Sequence, residues 1–205
     1  IRPTRGWKGF DVQELWRYRE LAYFLALRDI SVRYKQTVLG ALWAVLQPLA
    51  FMVIFTFVFS VVAHIPSDGI AYPVFVYAGL VIWQLFSRAL TEASNSVVGN
   101  ERLISKVYFP RIVIPLASLG SAVVDSAIAL ALLAALMVVF RAPLGGALWA
   151  FPFFVLLALC AALGIGLWFA ALNVAYRDVR YVLPFLTQLW FYVTPIGYPM
   201  SIVPE

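Results

Sequence analysis

Residues 28–63 read RDISVRYKQTVLGALWAVLQPLAFMVIFTFVFSVVA, a basic stretch followed by an apolar one. No charged residue occurs in the 23 positions from Ala41 to Ala63. As a helix, at about 1.5 Å per residue, this run covers roughly 34 Å and can cross the ~30 Å hydrocarbon core of a bilayer. Because a charge at the bilayer centre costs about 2.5–3.5 kcal/mol, the change from basic to apolar marks the water boundary. The sequence therefore predicts a first membrane span here, and the cations beside it are Arg19, Arg28, Arg33 and Lys35.

The composition argues against a soluble protein. Hydrophobic residues make up 63% of the 205-residue chain and charged residues 12%, and the mean hydropathy is +0.90. Soluble domains average about 45–50% apolar and about 25% charged residues. The net charge is +5, but the basic residues lie beside apolar runs, where membrane topology requires them. We therefore expect no nucleic-acid binding. A single cysteine, Cys160, gives no disulfide framework, and the single histidine, His64, is too far from it in the sequence to suggest a metal site.

The apolar runs predict an all-α polytopic membrane protein, with one transmembrane domain over residues 1–205. Small residues recur every four positions in the fourth run, at Ala158, Ala162 and Gly166, which favours close approach of another helix. Five membrane spans are predicted in this sequence. These lie at about 41–63, 73–90, 116–140, 147–172 and 182–203, the fifth interrupted at Thr194-Pro195.

An interfacial helix is predicted before the first span, at residues 10–28. Asp11 can cap this helix together with Glu14 three residues later. An ordinary amphipathic helix that packs on protein fits the same pattern equally well. The apolar side of the helix consists of Leu15, Tyr18, Ala22 and Leu25.

The distribution of lysine and arginine predicts the orientation of the chain. Eight of the 15 lie in residues 1–40, four in 88–115 and two in 173–183. The predicted spans place these three segments on one side of the membrane. The other side holds only Arg141, so the split is 14 to one. By the positive-inside rule, the N-terminus is predicted to be cytoplasmic.

No motif for catalysis, ATP binding or metal binding occurs in the sequence. It contains no GxxxxGK phosphate loop, no His-Glu-x-x-His and no cysteine pair. Asp125 is the only acid deep within a predicted span. It shares a helical face with Ala117, Ser121 and Ala129, so we expect it to point at protein rather than lipid. Asp125 either forms a structural hydrogen bond or takes part in transport.

Aromatic and amide side chains recur in the first and fifth predicted spans. In the first they follow every four residues, and Phe51 and Phe55 lie at mid-bilayer, where leucine or valine would suit lipid equally well. Aromatic faces with interspersed amides suit sugars, which stack through C–H faces and hydrogen-bond through hydroxyls. Contact with lipid alone would also account for the rings. The predicted substrate path comprises Trp43, Gln47, Phe51, Phe55, Phe59, Gln188 and Tyr192.

Residues 91–115, predicted to be cytoplasmic, combine charges with the apolar run Val107, Tyr108 and Phe109. A solvated loop would not expose such a run beside a membrane, so we expect it to fit a groove in another protein, with charges setting the register. The residues predicted to make this contact are Asn100, Glu101, Arg102, Lys106, Tyr108, Phe109 and Arg111.

Four stretches together resemble the permease subunit of bacterial type-2 ABC exporters of polysaccharides (O-antigen, capsule and teichoic acid). They are RDISVRYKQTVLGALWAVLQPL, NERLISKVYFPRIVIP, NVAYRDVRYVLPF and TPIGYPMSIVPE. The resemblance implies a full chain with six spans, one more than this sequence contains. It implies an inner-membrane half-transporter that dimerises and binds two copies of a separate ABC ATPase, which holds the ATP and Mg²⁺. It also implies that the loop between spans two and three, here about Asn95 to Arg111, couples the two subunits. A lipid-linked polysaccharide would then pass between the first and fifth spans.

Two other functions are compatible with parts of this pattern. A drug or small-lipid exporter of the same superfamily would need fewer aromatic residues at mid-membrane. An integral-membrane sugar transferase would need carboxylates or cations clustered at one membrane face, and the sequence has no such cluster. The sequence therefore favours a permease with no catalytic residue and no cofactor of its own.

Overall fold

The structure is a computed structural model, and it describes residues 12–35, 42–64, 70–142 and 149–198. Helices dominate these residues, which contain no β-strand, so the all-α prediction is confirmed. The helices are α1 (Val12–Arg17), α2 (Arg19–Lys35), α3 (Leu42–Phe55), α4 (Tyr72–Gly99), α5 (Glu101–Lys106), α6 (Val113–Val139), α7 (Phe151–Ala175) and α8 (Val179–Val193). A π-helical segment, Thr56–Val62, continues α3 directly.

Helix α4 lies at the centre of the described residues and packs against α3, α6, α7 and α8. Its length of 28 residues includes 12 that are buried, among them Tyr77 and Leu90. In a membrane, a helix surrounded by other helices needs little lipid-facing surface and can carry polar side chains toward protein. This position allows α4 to present Arg88 and Glu92 to neighbouring helices.

Small residues bring α4 and α7 together. A Cβ atom at Gly166 would lie 2.7 Å from the Cβ of Ala93, and Ala162 is fully buried beside this contact. Asn173 strengthens the same interface, because its Nδ2 donates to the carbonyl oxygen of Ser94 at 3.2 Å. The predicted close approach at Ala162 and Gly166 is confirmed, whereas Ala158 is only partly buried.

The amphipathic helix preceding the first span packs on α6. Leu25 is buried in a cluster with Phe109 and Ile114, and the predicted apolar side, Leu15, Tyr18 and Ala22, lines the same cluster. The opposite side exposes Trp16, Tyr23 and Phe24. Packing on protein is therefore observed, and location in the membrane interface stays a prediction. The helix is interrupted at Tyr18 and extends to Lys35 rather than residue 28, while residues 10 and 11 lie outside the described residues.

Four described helical segments are long and apolar enough to cross a membrane: Leu42–Val62, Tyr72–Gly99, Val113–Val139 and Phe151–Ala175. The second and third of these extend into the predicted coupling segment 91–115, which is therefore largely helical. The predicted fifth span, 182–203, corresponds only in part to α8, which ends at Val193. Thr194 has extended backbone angles because a following proline disfavours the helical region. Residues 199–205 lie outside the described residues.

Candidate functional site: a groove between α3 and α8

Three adjoining cavities run along α3, two of them between α3 and α8, and together we call them the groove. The central cavity has a volume of about 370 Å³, and helix α4 forms its floor. A second cavity, also of about 370 Å³, shares Gln47 and Arg88 with it and extends toward α2. A third, of about 260 Å³, shares Phe191 and Tyr192 with the central one.

All seven residues of the predicted substrate path line this groove. Trp43 lies at the cavity near α2, and Gln47 at the boundary between that cavity and the central one. The central cavity contains Phe51, Gln188 and Tyr192, and the third contains Phe55 and Phe59. The fold thus brings residues from two distant parts of the sequence to one site.

The aromatic stripe begins in α3 and ends at Phe59 in the π-helical segment. The ring centroids of Phe55 and Phe59 are 5.3 Å apart, and Phe55 also meets Phe191 of α8 edge-on at 5.7 Å. These contacts join the end of the first span to α8.

The sequence prediction missed the contribution of α4 to the groove. Trp83, Gln84 and Ser87 line the central cavity, and Arg88 lies beside them. The indole of Trp83 lies 5.6 Å from the ring of Phe191, which links the floor to α8. The signal was present in the sequence, because the i, i+3, i+4 spacing of Gln84, Ser87 and Arg88 puts three polar side chains on one face of an apolar helix.

Asp125 is the centre of a polar network that joins α2, α4 and α6, as well as α3 through Arg88. Its side chain is 6% exposed and accepts from Arg33 Nη1 at 3.0 Å, from Arg88 Nη1 and from the Tyr34 hydroxyl. Arg88 Nη2 also donates to Gln47 Oε1 at 3.0 Å. The predicted orientation of Asp125 toward protein is confirmed, and the network reaches the groove through Gln47. We call these five residues the Asp125 network.

A second carboxylate balances the charge of this network. Glu92 of α4 accepts from Arg33 Nη1 at 2.8 Å and from the hydroxyl of Ser121, which precedes Asp125 by one helical turn. Two arginines therefore face two carboxylates. Burial and the hydrogen bond to Asp125 raise the pKa of Tyr34 to about 12. The phenol therefore keeps its proton at physiological pH and remains a donor to the carboxylate.

The coupling segment is held by α2 rather than free in solution. Arg28 Nη2 donates to Asn100 Oδ1 at 2.8 Å, and Asn100 Nδ2 donates to the Ser96 carbonyl at 2.8 Å. Asn100 therefore connects the end of α4 to α2. The predicted charged contact residues all have exposed side chains: Glu101, Arg102, Lys106 and Arg111.

The expectation that Tyr108 and Phe109 are both exposed is wrong for Phe109. Tyr108 is 82% exposed, but Phe109 is 6% exposed and packs with Leu25 and Val113. The extended backbone at Val107 after α5 points successive side chains in different directions, so neighbours in sequence have opposite environments. Of the run from Val107 to Phe109, the exposed side chains are therefore those of Val107 and Tyr108.

Comparison with known proteins identifies the family. Residues 20–205 match the ABC-2 type transporter family. The chain belongs to that family. It is 31% identical over 196 residues to the O-antigen export system permease protein RfbA of Myxococcus xanthus, covering 95% of this chain and 74% of the relative. It is also 31% identical to the RfbA protein of Klebsiella pneumoniae over 91% of this chain and 71% of the relative.

Another relative gives a further match to this ABC-2 family member. The polysialic acid transport protein KpsM of Escherichia coli is 28% identical over 204 residues, covering 96% of this chain and 75% of the relative. The resemblance to permease subunits of type-2 ABC polysaccharide exporters, first noted from four sequence stretches, is confirmed. The chain is a multi-pass membrane protein of the transporter class. Within the described ranges, no group of three or more His, Cys, Asp and Glu could hold a metal ion.

Proposed function

We propose that this chain is the permease subunit of an ABC exporter that moves a lipid-linked, O-antigen-like polysaccharide outward across the bacterial cytoplasmic membrane. The observation that carries the proposal is the groove, where α3 and α8 combine aromatic rings with the amides of Gln47 and Gln188. Such rings stack on the C–H faces of sugars while amides bond their hydroxyls. Relatives named for O-antigen export and polysialic acid transport support this substrate class.

The energy for transport would come from a separate ABC ATPase that holds ATP and Mg²⁺. The 14-to-one distribution of cations favours a cytoplasmic N-terminus, and this orientation gives α5 and Tyr108 access to the cytoplasm. An exposed tyrosine surrounded by charges is the type of surface that fits a groove on a partner. We infer a homodimer of permeases with two ATPase copies, in contact with membrane lipids.

A gene deletion in a polysaccharide-producing host tests this function. Loss of the full-length permease should remove polymer from the cell surface and cause lipid-linked polymer to accumulate inside. Re-expression should restore export only with an ATPase subunit able to hydrolyse ATP. Normal surface polymer in the deletion strain would overturn the proposal. Normal surface polymer together with new sensitivity to hydrophobic drugs would instead favour a drug or small-lipid exporter.

A further inference from the structure

The groove has a polar floor on α4, which the predicted path between the first and fifth spans does not include. Gln84 and Ser87 line the central cavity one helical turn apart, and Trp83 lies next to them. Exposing an amide to lipid is unfavourable, because hydrocarbon offers no hydrogen-bonding partner. The orientation of Gln84 toward the cavity therefore gives its amide access to whatever occupies the groove.

Three amides from three helices surround the same cavity. Gln47 comes from α3, Gln84 from α4 and Gln188 from α8. Gln47 accepts from Arg88 through Oε1, which leaves the two hydrogens on its Nε2 available as donors. Among the described residues, the amides of Gln84 and Gln188 form no hydrogen bond within the protein. Each amide can donate and accept at once, which matches a ligand with several neighbouring hydroxyl groups.

The charge of the cavity favours a neutral ligand. Among the described residues, Arg88 is the only charged side chain that lines it, and its guanidinium is already bonded to Asp125 and Gln47. An anion would have to compete with the Asp125 carboxylate for this group. Flat rings of Phe51, Trp83 and Tyr192 line the same cavity and offer stacking surfaces without charge. The volume of about 370 Å³ lies within the range of small-molecule sites, about 300–1,000 Å³.

We propose that Trp83 and Gln84 of α4, together with Gln47 and Gln188, form a subsite that binds one neutral sugar unit of the polymer. The amides hydrogen-bond its hydroxyl groups, and the indole of Trp83, fixed by its contact with Phe191, stacks on its C–H face. The subsite rests on the proposed export function and extends it, because it assigns sugar contacts to α4. Gln84 is then a residue that determines which sugar units pass.

Photo-crosslinking in cells tests this subsite with the native polymer as the probe. The full-length permease, expressed with its ATPase, carries p-benzoylphenylalanine in place of Gln84, Ser87, Gln188 or Trp168. Trp168 is the control, because it is 64% exposed on α7 and lines none of the three cavities. After irradiation, the permease is purified and the attached polysaccharide is measured. We expect several-fold more polymer at positions 84 and 188 than at position 168.

The outcomes separate the subsite from the export function. Capture at 188 without capture at 84 or 87 would overturn the subsite and leave the proposed export function standing. Capture at none of the groove positions, with the complex assembled, would overturn both. Position 87 lies on the same face as 84, so the result does not depend on a single variant folding. As a second measurement, Gln84→Met should slow export several-fold with unchanged co-purification of the ATPase, and an unchanged export rate would contradict the role of the amide.

Discussion

Arg33 of α2 donates to Asp125 of α6 at 3.0 Å, across 92 positions of sequence. The same nitrogen contacts Glu92 of α4 at 2.8 Å, so one guanidinium joins three helices. A helix that precedes the first span is thereby fixed to the middle of the bundle. Since Arg88 continues the network to Gln47, the contact also connects α2 with the groove.

The first prediction concerns the stability of the Asp125 network. Asp125→Asn removes the charge that Arg33 and Arg88 share, and breaking a buried ion pair costs about 3–5 kcal/mol. The two arginine side chains are 38% and 24% exposed, which reduces this cost through solvent screening. We expect a thermal midpoint several degrees lower for the purified full-length protein.

A matched control and a double variant make this test specific. Asp178→Asn is the same chemical change at an exposed residue and should leave the midpoint unchanged. Arg88→Gln in the Asp125→Asn background removes one uncompensated charge and should recover part of the loss. An Asp125→Asn variant as stable as Asp178→Asn would show that the network contributes nothing to folding.

The orientation of Asp125 was predictable, but its partners were not. Helical periodicity alone places Asp125 with Ala117 and Ser121 on a small, polar face, and the structure buries that face. Arg33 and Arg88, in contrast, look in the sequence like ordinary cations at the membrane boundary. Their role depends on which helices pack together, and this is a tertiary property that local spacing does not contain.

The aromatic stripe was likewise predictable from local sequence, whereas the burial of Phe109 in the coupling segment was not. The stripe from Gln47 to Phe59 repeats every four residues, so the proximity of neighbouring members follows from local helical geometry. The environment of Phe109 depends instead on α2, which is distant in sequence and covers it. The floor residue Gln84 was overlooked because the resemblance emphasised the first and fifth spans, although its polarity within an apolar helix was visible.

The second prediction compares two glycines of α7. Gly166→Ala would bring a new Cβ to 2.7 Å from that of Ala93, so α4 and α7 would have to separate. Gly164→Ala meets no atom within 4 Å, and alanine favours a helix by up to about 1 kcal/mol. We expect a lower thermal midpoint for Gly166→Ala and an equal or higher one for Gly164→Ala. Similar midpoints for both would contradict the close packing of these helices.

The third prediction concerns the surface proposed to bind the ATPase. Tyr108→Asp changes a side chain that is 82% exposed, so the permease should insert and fold normally. Co-purification with the ATPase should be lost, because a carboxylate in an apolar groove is strongly unfavourable. Tyr176→Asp, at a tyrosine that is 65% exposed after α7, should retain the complex. Phe109 is unsuitable for this experiment because it is buried. An intact Tyr108→Asp complex would refute this contact.

The fourth prediction tests the orientation. In a Cys160→Ser background, which removes the single cysteine, Lys106→Cys and His64→Cys introduce thiols at exposed positions on opposite sides. A membrane-impermeant maleimide applied to intact spheroplasts should label position 64 and leave position 106 unlabelled until the cells are opened. The reverse labelling would place the N-terminus outside and remove the coupling segment from the cytoplasm.

The fifth prediction asks whether the aromatic stripe contacts the polymer or only lipid. Phe51 lines the central cavity and is 39% exposed, whereas Phe57 on the same span is 60% exposed and lines none of the three cavities. Leucine preserves apolar area in both positions but offers no flat face for a sugar. Losing about 0.5–1.5 kcal/mol of stacking should slow export about two- to thirteen-fold for Phe51→Leu, and export by Phe57→Leu should be unchanged.

The choice of Phe51 and of leucine avoids two ambiguities in this last experiment. Phe55 packs against Phe59 and Phe191, so Phe55→Leu would disturb the junction of the first span with α8 as well as any sugar contact. Alanine at position 51 would open a cavity and mix a packing defect with a lost contact. The measurement is the rate at which polymer reaches the surface, at equal amounts of assembled permease and ATPase. Equal rates for Phe51→Leu and Phe57→Leu would remove Phe51 from the substrate path and leave its ring as a lipid contact.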